Sequence, residues 1–408
     1  MSHDEEVKPK SRTKLWFLVH SWLAMPIWLF VFFVCLTGSI ATVSQEIIWL
    51  VDPSVRANQP ADQTRVLTYD EIIDVVHSTA PEVYIENITR PVKSQFALSA
   101  SVSYPDSTTA TIYINPYTGA IQGTASGFDF RQFIRAIHGW LLLPFDNGFT
   151  FFSIGWYIVS FLGIPMLLSL MTGLMVYKRF WRGFFSPRLR INRGSRVFWG
   201  DFHRLAGIWS IPFILIISIT GIWFLIQALL FDNSISISSS GPPIYVARED
   251  VPTNMGDEPP MISPSDAVAV VTQQYPNVKP ERVSVPGNTY NHYIVNGRSQ
   301  SYPLIIEHFS VNPYNGKIEK TKRLSDHSSL ELVTESMRPL HTGDFVGLTL
   351  KLVYFFFGLL LTMMVFSGMS IWTKRTFKAS QAVIRERKAT HTRQSNQHPL
   401  QAKGEVSS

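Results

Sequence analysis

The sequence predicts a membrane protein with four transmembrane α-helices, arranged as a duplicated helix–module–helix unit with two α+β modules outside the bilayer. Three observations carry that expectation. The 408 residues are 46% hydrophobic and only 16% charged, and four largely uncharged runs, Leu15 to Ile40, Ile154 to Tyr177, Val197 to Leu230 and Phe345 to Trp372, each reach the roughly 20 residues a helix needs to cross a bilayer. Basic residues collect beside these runs on one side only. And the run HSWLAMPIWLFVFFVCLTG at 20–38 returns as HRLAGIWSIPFILIISITG at 203–221, with His and Gly at the same spacing.

Taken in order, residues 1–14 form a tail with Lys8, Lys10, Arg12 and Lys14, and 15–45 the first helix. This helix is an anchor and not a cleaved leader, because its apolar core is long and no small-x-small site follows it. Residues 46–150 make a first outer module ending in an amphipathic segment that carries His138, and 151–178 the second helix. The loop 179–196, entered through Lys178, holds Arg179, Arg182, Arg188, Arg190, Arg193 and Arg196 and no acid. The third helix covers 197–230, the second outer module 231–344, the fourth helix 345–373, and the tail 374–408 opens with Lys374 and Arg375. Retention of Lys and Arg on the cytoplasmic side places both termini and the middle loop in the cytoplasm and both modules in the periplasm of a bacterial inner membrane. The net charge of +6 is thus accounted for by topology, and no nucleic-acid motif accompanies it.

The outer modules also repeat. TYDEIIDVVHSTAP, an amphipathic helix, leads through alternating residues to TIYINPYTGAI, and SPSDAVAVVTQQYP leads to HFSVNPYNGKI. Asn-Pro-Tyr-x-Gly reads as a turn between strands, with Pro setting one φ and Gly supplying a positive one. Ile134-Arg135-x-x-His138 corresponds to Met337-Arg338-x-x-His341. Both halves start on the same side, so the repeats are parallel and their pseudo-two-fold axis runs along the membrane normal.

Of eleven histidines, four fall near the starts of the four membrane segments, and symmetry sorts them into two pairs: His20 with His203 near the inner face, His138 with His341 near the outer. One histidine at such a place reads equally well as a solvated interfacial ring; two symmetric pairs read as a site. Two imidazoles without a carboxylate or thiolate fall short of a structural zinc set. They suffice for six-coordinate haem b, whose porphyrin supplies four nitrogens and the protein two axial ligands. Two haems per chain would divide the bilayer into shorter electron steps. Cys35 is the single cysteine, so covalent C-x-x-C-H attachment, disulfides and thiolate clusters within the chain are excluded.

Thr37-Gly38, Thr172-Gly173, Thr220-Gly221 and Ser367-Gly368 near the helix ends leave two readings open: close helix packing, or room for a flat macrocycle. Helices alternate in direction, so the pairs on helices two and four lie at the depth of His20 and His203, and those on one and three at the depth of His138 and His341. Arg135 and Arg338, one turn before the outer histidines, are candidates for haem propionates or for headgroup and loop contacts; Arg204 and Lys14 are weaker candidates at the inner pair. His77, His292, His308 and His327 read as module surface residues, and His3, His391 and His398 as parts of polar tails. Trp49, Trp140, Trp156 and Trp372 read as interface anchors.

These residues resemble the PepSY-associated transmembrane proteins, whose members include iron-uptake proteins and inner-membrane ferric-siderophore reductases. The likeness spans about residues 12 to 375: His-led first and third helices ending in Thr-Gly, modules carrying NPYTG and NPYNG, and LHTG at 340–343. The chain departs from its own symmetry in one respect, since the spacing from His138 to Gly173 exceeds that from His341 to Gly368 by eight residues. The resemblance implies periplasmic PepSY-like modules and a haem-bearing reductase passing electrons outward to a ferric siderophore. Hard oxygen donors hold Fe(III) far better than Fe(II), so reduction would release iron for uptake. No dinucleotide loop, flavin signature or cluster cysteines are present, and the donor is then a separate cytoplasmic reductase or membrane quinol. Other readings stay open: a periplasmic interaction or sensory protein that restrains a protease, a metal-ion permease, or a haem protein with another acceptor such as quinone, sulfur compounds or a periplasmic redox protein.

Overall fold

The computed structural model describes residues 12–397, apart from 63–64, 92, 178–179, 236, 238–243 and 253–258, and the side chains of 15–374 within these, Phe180 excepted. In chain order the elements are helices α1 (Arg12–Ala24), α2 (Trp28–Thr42), α3 (Ser44–Val51) and α4 (Tyr69–Thr79), then strands β1 (Tyr84–Thr89), β2 (Leu98–Ser103), β3 (Thr109–Ile114) and β4 (Ile121–Ala125). There follow α5 (Phe130–Trp140), α6 (Ile154–Phe161), α7 (Gly163–Val176), α8 (Phe180–Phe185), α9 (Ser195–Trp209) and α10 (Ile211–Asp232). The last part is α11 (Pro264–Gln274), strands β5 (Val278–Ser284), β6 (Tyr293–Ser299), β7 (Tyr302–Val311) and β8 (Ile318–Lys322), then α12 (Ser329–Thr342) and α13 (Leu348–Gln397). The tails bearing His3 and His398, the basic residues Lys8, Lys10, Lys178 and Arg179, and the side chains of Arg12, Lys14, Arg375 and His391 lie outside what is described.

Among the described residues four helical stretches are long and apolar enough to cross a membrane: Leu15–Thr42, Ile154–Val176, Ile211–Asp232 and Leu348–Lys374. The first three are broken or begin beside a proline, whose missing N–H and ring clash with the preceding turn interrupt a helix. Pro26 sits in a 3-10 turn between α1 and α2, Pro165 follows the α6–α7 junction, and Pro212 follows the α9–α10 junction. The fourth, without proline, runs on in α13. The third stretch corrects the sequence expectation of 197–230. α9 is a separate amphipathic helix with Asp201 buried and Arg204 exposed, and the apolar helix begins only at Ile211.

Contacts divide the chain into two compact units. One comprises Met1–Leu36, Ile164–Leu215 and Phe357–Ser408; the other comprises Thr37–Gly163 and Ile216–Phe356. The second contains the sheet. Its strand order is β4-β3-β2-β1-β5-β6-β7-β8, antiparallel throughout, so the two regions expected as separate modules join through β1 and β5, with Asn87 opposite Ser284 and Thr89 opposite Arg282. Alternation buries one face: Leu98, Ala100 and Val102 of β2 and Val295, Phe309 and Val311 of β6 and β7 pack with Ile72 and Val76 of α4 and Val271 of α11. The two helices start alike, Thr68 and Ser263 capping them, and they hold each other at their first turns. The Asp70 N–H donates to Ser265 Oγ (3.2 Å) and the Ser265 N–H to Asp70 Oδ1 (3.1 Å).

Both Asn-Pro-Tyr-x-Gly segments form the same turn. Asn115 Oδ1 accepts from the Tyr117 and Thr118 N–H groups, Asn312 Oδ1 from those of Tyr314 and Asn315, and Gly119 and Gly316 take φ values of +73° and +71°. Two histidines read as surface residues are instead buried. His292 Nε2 lies 2.7 Å from Glu319 Oε2 and His327 Nε2 3.0 Å from Glu335 Oε2, while His77 and His308 are exposed.

An ionic cluster marks the start of α13. Lys351, with a side chain 3% exposed, lies 3.1 Å from Asp344 and 3.5 Å from Glu46, and Lys93 lies 2.6 Å from the same Glu46. Removing one partner of a buried ion pair leaves the other poorly solvated. Lys351→Met is expected to cost about 2 kcal/mol, less than loss of a fully sealed pair because Glu46 keeps Lys93. A lowered thermal unfolding midpoint in detergent would register this, and an unchanged one would show the cluster to be energetically neutral.

Candidate functional site

In the first unit, His20 of α1 and His203 of α9 face one another with ring centroids 6.3 Å apart and planes at 72°. Each ring is held by a different helix. His20 Nδ1 lies 3.0 Å from the Ser169 carbonyl oxygen and 3.1 Å from Thr172 Oγ1, both on α7. His203 Nδ1 lies 3.0 Å from the Met364 carbonyl oxygen and 3.0 Å from Ser367 Oγ, both on α13. A carbonyl oxygen only accepts, so Nδ1 carries the proton in both rings and Nε2 keeps its lone pair. The Thr172 and Ser367 hydroxyls donate to carbonyls of their own helices, Leu168 at 2.8 Å and Met364 at 2.6 Å, and so also present lone pairs to the imidazoles.

In the second unit, His138 of α5 and His341 of α12 lie 6.1 Å apart with planes at 35°. Thr220 Oγ1 of α10 donates to the Ile216 carbonyl (2.7 Å) and accepts from His341 Nδ1 (2.7 Å), which assigns the same tautomer. Phe224 packs edge-on against His341 at 5.2 Å. Burial, with His138 adding to it, pushes the His341 imidazole down to about 3, so it remains neutral at ordinary pH. His138 and His341 each sit just before a helix end. Leu141 and Leu142, at φ +57° and +60°, close α5, and Gly343 at +69° closes α12, where a side chain would meet the Tyr354 ring at 2.7 Å. The longer connection after His138 is taken up by this stop, and the residue still reaches its partner.

The glycines of the small-residue pairs differ in what they meet. A Cβ on Gly38 would stand 2.7 Å from His138 Cε1, one on Gly368 3.1 Å from His203 Cε1, and one on Gly173 3.6 Å from His20 Cε1. Gly221 meets no histidine: its neighbours are Gly163 Cα at 3.7 Å and the Ser160 carbonyl at 3.8 Å, a helix-to-helix contact. Three glycines therefore seat imidazoles and one packs helices. The carbonyls of Ser169 and Met364, three residues before Thr172 and Ser367, were not foreseen, although a hydroxyl-Gly pair on a helix facing a histidine implies that the preceding turn is near too.

Arg135 and Arg338 lie one turn before the outer histidines on α5 and α12. Burial, then the charges of Arg338 and Arg131, lowers the Arg135 guanidinium below its ordinary value, which places these cations in one neighbourhood. Neither Arg135 nor Arg338 has a hydrogen-bonding or ion-pair partner for its side chain among the described residues, so the pair presents unspent donors to an anion. Arg204 does not serve the inner pair. It bonds Asp201, as does Arg190 through two contacts of 2.8 and 2.9 Å.

Among the described residues no group of three or more His, Cys, Asp or Glu gathers at one point. Each imidazole pair is thus a two-ligand set. Metal–imidazole bonds of roughly 2 Å on either side of one ion, plus about 1.1 Å from nitrogen to ring centre, require centroids roughly 6.3 Å apart. The observed 6.3 and 6.1 Å fit a single ion between each pair that obtains its other ligands elsewhere.

Residues 17–375 match the family profile described as the PepSY-associated TM region. Among curated proteins, an uncharacterized protein of Pseudomonas aeruginosa is 38% identical over 64 residues. That match covers 16% of this chain and 16% of the relative.

Proposed function

Since the chain belongs to the PepSY-associated TM region family and is a multi-pass membrane protein, we propose that it is an inner-membrane oxidoreductase holding one haem b at each histidine pair and delivering electrons to a ferric siderophore in the periplasm. The observation that carries the reading is the geometry of the pairs, two imidazoles with ring centres 6.3 and 6.1 Å apart, as two nitrogens on one metal ion would require, with Nδ1 protonated by its hydrogen bonds in three of the four. When bound, haem supplies one-electron chemistry at its iron, which neither imidazole nor any other side chain of the site can provide. The chain's own work is to bind and orient. His20 and His203 would hold one group and His138 and His341 the other, with Gly38, Gly173 and Gly368 seating the rings, and Arg135 and Arg338 would offer their guanidiniums to the propionates beside the second pair.

The exposed Arg182, Arg188, Arg193 and Arg196 support a cytoplasmic location for the loop that carries them, and with it a donor, a separate reductase or quinol, on the inner side. The recurrence of helix, four strands, short histidine helix and spanning helix supports a duplicated unit. Detergent-purified protein is expected to show a sharp reduced α-band and about two haem b per chain by pyridine haemochrome. On dithionite reduction followed by anaerobic addition of ferrioxamine, the band should reoxidise as Fe(II) appears in a ferrozine trap. A featureless spectrum from haem-replete cells would sink the reading and leave the sheet as an interaction module.

Thr220→Val keeps the shape of the side chain and removes the acceptor from His341 Nδ1. Loss of such an outer partner typically costs 10–100-fold in metal affinity. Haem titration of the variant should show a weakened outer site and an unchanged inner one; equal affinities would mean that Thr220 does not hold the ring.

A further inference from the structure

α9 presents two opposite faces, and only one belongs to the histidine pair. At about 100° per residue, Trp199 and Gly207 each lie about 40° from His203, and the three meet α13 through Phe366, Met364 and Ser367. Asp201, Arg204, Leu205 and Ile208 point about 100–160° away from His203. That second face closes a cavity of about 360 Å³ with α8 and the irregular segment 186–190. Four guanidiniums line it: Arg182, Arg188, Arg190 and Arg204. Asp201, 3% exposed, is the only acid on its wall among the described residues, and it is engaged by Arg190 and Arg204 at once. Arg182 and Arg188 have no side-chain partner among the described residues, so the cavity carries a surplus of positive charge with planar donors unspent. Gly183 borders it where a side chain would collide with the Tyr177 hydroxyl, leaving that hydroxyl at the cavity wall. Beside these cations, Trp181 and Phe185 of α8 are 69% and 72% exposed and stack on one another at 6.0 Å, the composition of a segment at a membrane interface.

We infer that this cavity binds a phosphate group, its charge shared by Arg182 and Arg188 while Arg190 and Arg204, fixed by Asp201, complete the cationic wall. Guanidinium pairs phosphate oxygens bidentately, and basic pockets between helices at the cytoplasmic face suit anionic lipid heads. The carrier is a phospholipid or a soluble phosphate. The site is independent of the haem reading, since it uses the other face of α9.

The test compares wild type with Arg182→Gln/Arg188→Gln, which leaves the Asp201 bonds intact. By native mass spectrometry from detergent, wild type is expected to retain about one dioleoylphosphatidylglycerol per chain in preference to dioleoylphosphatidylcholine, and the variant to lose this preference roughly tenfold. If instead millimolar inorganic phosphate or pyrophosphate raises the wild-type unfolding midpoint and leaves the variant's unmoved, the site holds and its carrier is soluble. Equal retention of both lipids by wild type together with no response to phosphate would overturn the inference, as would binding unaltered in the variant. Should the double variant not fold, Arg188→Gln alone, in the irregular segment between α8 and α9, provides the same comparison.

Discussion

Replacing His203 with alanine is expected to reduce haem from about two per chain to about one, and His20→Ala to do the same. The two substitutions combined should remove no more than either alone, since the group would need both imidazoles of the pair to stay bound. Combining His203→Ala with His341→Ala should remove all haem. This pattern follows from the 6.3 and 6.1 Å ring separations and from the absence among the described residues of a third His, Cys, Asp or Glu that could substitute at either pair. Haemochrome quantitation of the four variants decides it. If each single variant retains full haem content, the assignment of ligands is wrong; if the double variant at the inner pair loses more than each single one, the pairing is wrong.

The second large effect is expected at a residue that bears no chemistry. A Cβ on Gly38 would lie 2.7 Å from Cε1 and 3.0 Å from Nδ1 of His138, closer than unbonded atoms tolerate, so even Gly38→Ala must displace the ring and Gly38→Val must displace it further. Loss of outer haem with retention of inner haem is the expected outcome for the valine variant. Gly221→Ala is the matched control at the corresponding helix position. Its new methyl meets nothing nearer than 3.7 Å, and alanine is the better helix former by roughly 1 kcal/mol, so haem content should be unaffected and the unfolding midpoint unchanged or raised. Equal behaviour of the two variants would show that the contact with His138 does not matter.

Legibility in the sequence varied with the range of the interaction. The four spans were readable because crossing a bilayer imposes length and apolarity on contiguous residues. The partner of each histidine was readable because the sequence around it recurs, His20 with His203 and Arg135-x-x-His138 with Arg338-x-x-His341, and the Asn-Pro-Tyr-x-Gly turns because their hydrogen bonds close within five residues. What escaped involved groups distant in the chain. β1 and β5 pair along a short register, and β5, with Lys279, Glu281 and Arg282, looks like an exposed edge. His292 is buried only because Glu319, 27 residues on, receives it. The third span was placed too early because Asp201 and Arg204 interrupt a run that is otherwise apolar, and the break at Ser210 depends on Pro212.

The joint between β1 and β5 has a consequence for any shortened chain. Asn87 and Ser284 face each other at corresponding points of the two halves, and each histidine pair draws one ring from the first half and one from the second. A chain of half this length would therefore have a bare strand edge and single imidazoles, and two copies related by a dyad would repair both defects at once. One polypeptide supplies both in a single copy and leaves its parts free to differ, as they do at the stop at Leu141 and in the continuous α13.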